Sequence, residues 1–391
     1  MEKNKLQVSD LANKITKAKI RVMYDLARQK ENVISLTVGE PDFQTPQSII
    51  DVSNEYFNRG MTKYTPNSGL DVLKDAVAEY YEPTLKRKID PETQVMITVG
   101  AQEALTVLMQ ILLDPGDEIM ICTPHYPPYV NQAYVAHATP VLVPTKEENG
   151  WEPDIGTLKS KITERTKALI LNSPCNPTGG ELSEQALREI AEVCREHRIV
   201  VISDEPYNKI RYTEEPFVSI ASLPGMEELA VVVNSFSKTY AMPGWRLGYA
   251  IGPEWIISAM PKTHDVMVSC VPAPFQYAGA YALKNCDADV EEMRQKYQRR
   301  MEIVHNGINS IDGLNCIRPK GTFYMFFNIR GLGVTSEQFA FDFLDKENVA
   351  VVPGDGFGEA GEGYIRLTFA TNEETLEESI ERLARYVRTI R

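Results

Sequence analysis

Lys238 sits in the run Ser235-Phe-Ser-Lys-Thr-Tyr-Ala-Met-Pro-Gly-Trp-Arg-Leu-Gly-Tyr249. Its amine can condense with an aldehyde to give an imine. Ser235, Ser237 and, eight residues beyond the lysine, Arg246 offer two hydroxyls and a guanidinium, a set that suits a dianionic phosphate. A small molecule with an aldehyde at one end and a phosphate at the other is pyridoxal 5'-phosphate. Proteins usually hold it with a lysine and an acidic partner for the pyridine nitrogen. Read alone, Ser-x-Ser-Lys is an ordinary solvated loop. Gly244 and Gly248 around Arg246, and the residues below, carry the chemical reading.

Asp204, in Ser-Asp-Glu-Pro-Tyr, is the candidate for the acidic partner. A carboxylate beside a pyridine nitrogen keeps that nitrogen protonated, because the opposite charge favours the charged form. Tyr207 and Asn176 could both hydrogen-bond the ring hydroxyl oxygen. Asn176 lies in Asn-Ser-Pro-Cys-Asn-Pro-Thr-Gly-Gly (172–180), a stretch of turn formers with a candidate cis bond at Asn176-Pro177. Thr98-Val-Gly-Ala-Gln-Glu-Ala-Leu places a glycine between a strand and a helix, so the N–H groups of Ala101 and Gln102 would face an anion. Tyr126 could stack on the ring. Arg366 is a lone charge in the apolar run Tyr364–Phe369 and needs an anion, either a protein carboxylate or a substrate α-carboxylate. Each residue also has a plainer reading, as a turn cap, a core aromatic or a structural ion pair.

These side chains must be brought to one edge of a scaffold. Short β-branched runs alternate with helical periodicity, which predicts an α/β fold with a mostly parallel sheet covered by helices. The predicted strands are Val95–Val99, Glu118–Cys122, Ala168–Asn172, Ile199–Ser203, Leu229–Asn234 and Leu247–Ile251, with a typical crossover helix at Ser183–His197. In open sheets of this kind ligands gather at the carboxyl ends of the strands. Gly100, Asn172 to Asn176, Asp204 and Ser235 all fall there. The C-terminal part reads as a long charged helix (Ala288–Asn309), a strand (Thr322–Asn328), a helix (Ser336–Lys346), strands Val349–Val352 and Tyr364–Thr368, and a last helix (Glu373–Arg388). We expect a large domain over 46–287 and a smaller α/β domain built from 1–45 and 288–391. Gly356-Phe-Gly-Glu-Ala-Gly361 matches a dinucleotide fingerprint. A strand-like run follows it instead of a helix, so no NAD site is expected.

The 391 residues, 43% of them hydrophobic, suffice for such a pair of units. The net charge of −13 argues against nucleic acid and anionic membrane as partners. A local arginine can still hold an anion, since opposing charges are screened beyond about 8 Å. Six cysteines without a C-x-x-C pair read as free thiols in a reducing compartment. The opening Met-Glu-Lys-Asn-Lys-Leu-Gln has no apolar leader, so a cytoplasmic location is expected.

Taken together, these motifs resemble the class I aminotransferases, fold type I of the pyridoxal-phosphate enzymes. The resemblance runs from Leu36-Thr-Val-Gly-Glu-Pro-Asp-Phe to the Arg366 strand and is nearest to the bacterial and archaeal aromatic and aspartate aminotransferases. It implies a seven-stranded sheet and a homodimer with shared active sites. It further implies that Lys238 carries the imine, Asp204 pairs with the pyridine nitrogen and Tyr207 and Asn176 bind the ring oxygen. Ala101, Gln102, Ser235 and Arg246 would hold the phosphate, with Tyr126 on the ring. Gly39 and Arg366, helped by Asn176, would take the substrate carboxylate, and Tyr64 would reach the neighbouring subunit's phosphate. Aspartate-using members often have a lysine where this chain has Gln102, and the usual Pro-Ser ahead of the gating segment reads Lys17-Ala18. Both departures weaken an assignment to aspartate. The expected order of donors is aromatic or other hydrophobic, then aspartate, then alanine, with 2-oxoglutarate as acceptor in a ping-pong reaction. Tyr324, Phe323 and Ile20 are candidates for the side-chain pocket. A C–S β-lyase on the same fold, and a non-enzymatic sensor with an aminotransferase-like domain, are the competing readings.

Overall fold

The computed structural model describes residues 7–390; residues 1–6, which hold most of the N-terminal stretch read above, lie outside the described residues. The central sheet has seven strands: β1 (Val95–Thr98), β2 (Glu118–Thr123), β3 (Thr139–Pro144), β4 (Thr166–Asn172), β5 (Val200–Asp204), β6 (Ala230–Ser235) and β7 (Gly248–Ile251). Their spatial order is β1-β7-β6-β5-β4-β2-β3. All neighbours are parallel except β7, which runs antiparallel to both β1 and β6.

Alternation along the strands builds a core on each face. Ile119, Ile121, Ile170, Ile202 and Val233 join one cluster with the helix Gly100–Leu112. Met120, Leu169, Leu171, Val201 and Val232 join the other. Each such buried side chain contributes about 1.5–3 kcal/mol. Both faces are thus covered, as a parallel sheet requires. The crossover helix Glu184–His197 forms as its sequence dictates. Ser183 caps it, accepting from Ala186 N–H at 3.1 Å, and Leu187, Ile190, Ala191 and Cys194 are buried.

The topology explains why the polar residues converge. β4, β5 and β6 end at Asn172, Asp204 and Ser235, with Asn172 opposite Asp204 in the ladder. Because β7 is reversed, it enters at that same edge: Gly248 pairs with both Ser235 and Thr98. Arg246, two residues earlier, is delivered there too.

A second, three-stranded antiparallel sheet comprises β8 (Tyr324–Asn328), β9 (Val352–Pro353) and β10 (Tyr364–Thr368), in the order β9-β10-β8. The helices Asp287–Asn309, Ser336–Glu347 and Glu373–Ile390 accompany it. Two expectations change. Thr139–Pro144 is a seventh strand that no predicted element covered. The expected strand Val349–Val352 is two short pieces: Val349–Ala350 pairs in parallel with Ile34–Ser35, whereas Val352–Pro353 joins the three-stranded sheet. The glycine-rich run itself lies in two 3-10 turns, Gly354–Phe357 and Glu359–Gly361, and β10 follows it, with no α-helix between. The six cysteines are free. No helix among the described residues is long and apolar enough to cross a membrane.

Candidate active site

A cavity of about 360 Å³ opens at the carboxyl edge of the large sheet, within the usual size range of small-molecule sites. Its wall includes Gly39, Ala101, Gln102, Tyr126, Asn176, Asp204, Tyr207, Ser235, Lys238, Arg246 and Arg366. Tyr64 is absent from this wall and is 92% exposed. Of the pocket candidates, Ile20 and Tyr324 line the cavity. Phe323 does not: it is fully buried in the core, edge-on to Tyr207.

Lys238 lies on the single helical turn Phe236–Thr239 that follows β6. Its Nζ donates to the carbonyl oxygen of Gly39 at 2.5 Å. Burial pulls its pKa down to about 8; Glu40 and Asp204 oppose this, and Arg246 and Arg366 add to it. The amine is therefore far easier to deprotonate than an exposed lysine.

Asp204 accepts a hydrogen bond from the Tyr129 hydroxyl at 2.5 Å through Oδ2. Its Oδ1 is buried with no partner among the described residues. Burial pushes the carboxyl up to about 7, against the pull of Tyr129 and Lys238. The Asn172 side chain donates to the Asp204 carbonyl oxygen at 2.9 Å and accepts from the Asn176 N–H at 2.8 Å, which ties the two turns together. The Asn176-Pro177 bond is cis, as expected, and Thr123-Pro124 and Ser173-Pro174 are cis as well.

Arg246 has a left-handed backbone (φ 53°) and donates to the carbonyl oxygen of Pro243 at 2.8 Å. Its guanidinium lies against Gly100, where an added Cβ would sit 2.6 Å from Nη2. Gly248 is equally constrained, since a Cβ there would meet Ala101 N at 2.7 Å. The two glycines let the guanidinium, the start of the helix Gly100–Leu112 and Ser235 close on one point, an arrangement that suits an anion.

Arg366, on β10, is 1% exposed. Nη1 donates to Asn176 Oδ1 at 3.1 Å and Nη2 to the Thr37 carbonyl oxygen. The rings of Tyr324 and Phe357 flank it at 4.5 and 4.9 Å. No carboxylate pairs with it among the described residues, and its Nε has no partner there. The plainer reading, a structural ion pair, is therefore not what the structure holds. Tyr207 lies 3.1 Å, hydroxyl to hydroxyl, from Tyr324.

Tyr129 is the functional neighbour that the sequence did not disclose. It sits on the helix Pro128–Val135, and its partner Asp204 is 75 residues away. The cavity offers a buried carboxylate oxygen that lacks an N–H, a cationic cradle and an amine of lowered pKa. These are the complements of the pyridine nitrogen, phosphate and aldehyde of pyridoxal phosphate, so the residues present fit that group.

Fold and cavity together define a pyridoxal-phosphate enzyme of fold type I. More narrowly, the chain belongs to the aminotransferases of class I and II, whose family model matches residues 31–383. An aspartate aminotransferase of Pyrococcus abyssi is 43% identical over 98% of this chain and 99% of its own length. The aromatic-amino-acid aminotransferase 2 of Thermococcus litoralis is 39% identical over 98% and 99%. Among solved structures, an aromatic aminotransferase from Pyrococcus horikoshii superposes with a TM-score of 0.90 at 43% identity, covering 94% of this chain and 99% of that one. The aspartate aminotransferase of Thermus thermophilus with maleate gives 0.92 at 34% identity, covering 97% and 100%. The protein is an aminotransferase, and enzymes of this class use pyridoxal 5'-phosphate.

Proposed function

We propose that this aminotransferase moves the amino group of an aromatic or other hydrophobic L-amino acid to 2-oxoglutarate by a ping-pong mechanism, with aspartate as a weaker donor. The observation that carries the reading is Arg366: a buried guanidinium with no carboxylate of its own, beside Asn176, in a cavity walled by Tyr126, Tyr324, Ile20 and Leu105. It suits a substrate α-carboxylate bidentately, and the aromatic wall suits a large apolar side chain. The names of the relatives, aspartate and aromatic aminotransferases, bracket the same range.

Bound pyridoxal phosphate supplies the carbonyl carbon that exchanges the amino group and a ring that withdraws electrons. In our assignment Ala101, Gln102, Ser235 and Arg246 hold its phosphate, Asp204 holds its ring nitrogen, Tyr207 and Asn176 its hydroxyl oxygen, and Tyr126 its face. Arg366 and Gly39 orient the substrate carboxylate. Lys238, once displaced, is the base that removes the Cα proton, and its lowered pKa makes the free amine available near neutral pH. Arg246 and Arg366 disfavour its protonated form.

We also propose that the cofactor residues belong to a large domain over 46–287 and that Gly39 and Arg366 come from a smaller one (1–45 and 288–391). Movement of the smaller domain would then act on the substrate carboxylate. A homodimer is favoured by Tyr64, 92% exposed, and by Val266, 87% exposed on the helix Met260–Val268. Asn67 ties the Tyr64 loop to that helix through Asp265, at 2.6 Å. Exposed apolar side chains so grouped mark an interaction face. With free cysteines throughout, we place the protein in the cytoplasm.

The test is a screen of amino donors against 2-oxoglutarate with the purified enzyme. Aromatic donors should give the highest kcat/KM and parallel double-reciprocal lines. Faster turnover with aspartate or alanine than with any aromatic donor would reverse the order.

A further inference from the structure

We infer that Glu103, held in place by His264, is a positioning residue for the turn that faces the cofactor phosphate; this rests on the placement of the phosphate proposed above. The helix Gly100–Leu112 starts with no side-chain cap at Val99. The first N–H groups of a helix have no partner within it. Those of Ala101 and Gln102 open on the cavity, where an anion can take them. Val99 N–H is served differently: it donates to Glu103 Oε2 at 3.1 Å. A glutamate in the first turn thus folds back onto the backbone just ahead of Gly100.

The other carboxylate oxygen is held from a different element. His264, on the helix Met260–Val268, is fully buried and lies 3.1 Å from Glu103 Oε1 through Nδ1. Its Nε2 has no partner among the described residues. A carboxylate oxygen only accepts, so the ring nitrogen that faces it carries a hydrogen, and Nδ1–H donates to Glu103. Both oxygens are fixed, and through them the backbone at Val99.

Position 100 is where such a clamp is needed. Gly100 adopts φ +75° and must lack a Cβ for Arg246 to approach. The same freedom lets the turn wander. The glycine admits the guanidinium, and the Glu103–His264 pair restores the rigidity that the glycine forfeits. Neither side chain lines the cavity, so both act through the backbone.

The test compares two probes on the apoenzyme, pyridoxal 5'-phosphate and pyridoxal, which lacks the phosphate. Glu103→Leu should raise the Kd for the phosphorylated form by about tenfold or more, the worth of a hydrogen bond to a charged group, and move that for pyridoxal by less than about twofold. Glu103→Gln keeps the acceptor for Val99 N–H and should restore most of the affinity. His264→Leu should show a smaller loss of the same kind, and it carries the test if Glu103→Leu does not fold. Equal losses for both probes, or no loss for either, overturn the inference. Arg246→Ala separates the two levels. A phosphate-specific loss there without one at Glu103 defeats the positioning role alone; no phosphate-specific loss at Arg246 defeats the site assignment beneath it.

Discussion

Replacing Tyr129 with phenylalanine removes one oxygen and tests the acid–base logic of the cavity. The hydroxyl is 2.5 Å from Asp204 Oδ2, both residues are buried, and the second carboxylate oxygen has no partner among the described residues. Tyr129 is thus the one side chain that stabilises the Asp204 anion by hydrogen bonding among the described residues. Such a bond to a charged acceptor is worth about 1.5–3 kcal/mol. At 1.36 kcal/mol per pH unit, its loss should carry the carboxyl midpoint up by about one to two pH units from its value of about 7. Around pH 7.5 the wild-type apoprotein is then mostly ionised at Asp204 and the variant mostly protonated. A protonated carboxyl cannot hold a pyridinium charge, so kcat/KM should fall with the ionised fraction, by about threefold to thirtyfold at pH 7.5, and partly recover at higher pH. The assay is transamination measured across pH 6–9, with the Asp204 carboxyl stretch followed by infrared difference spectroscopy. Wild-type kcat/KM with an unmoved pH profile would refute the reasoning, because the hydrogen bond would then have no bearing on the charge of Asp204.

Lys238→Ala should abolish transamination and the imine chromophore that hydride reduces; a variant with wild-type turnover ends the assignment of the lysine. Asp204→Asn should lose activity yet raise the Tm of the apoprotein at pH 8. The folded midpoint of about 7 lies above the unfolded value of about 4, so the folded state binds the extra proton between them and the native carboxyl costs stability as pH rises through that window. A gain in Tm at pH 8 no larger than that at pH 4 would contradict this. Arg366→Lys should raise the KM for amino donors by about tenfold or more, because a point charge cannot replace a bidentate fork, while the cofactor Kd stays unchanged; an unaltered KM would remove Arg366 from the carboxylate site.

How far the sequence disclosed this site depends on how local each signal is. Asp204 and Ser235 end apolar strands, and Gly100 and Arg246 occupy turns with demanding backbones, so a short window reveals them. Arg366 is a charge among apolar neighbours and stands out in five residues. The strand Thr139–Pro144 did not stand out, because Pro140 and Pro144 argue against a ladder. It survives at the sheet edge, where one side needs no donors. Tyr129 and the His264–Glu103 pair gave no signal at all, since partners 75 and 161 residues away meet only once the helices have packed. The split at Val351 was hidden for the same reason: which sheet a β-branched residue joins is decided by the opposite strand.

Those two prolines have a wider effect. An outer strand with a full set of amide hydrogens invites a second molecule to add on and lengthen the sheet, the route to filaments. Here the outermost ladder lacks a hydrogen at 140 and again at 144. Copies of this chain are thereby steered away from edge-to-edge growth and left to associate through side-chain surfaces, where a closed assembly can stop at a fixed number.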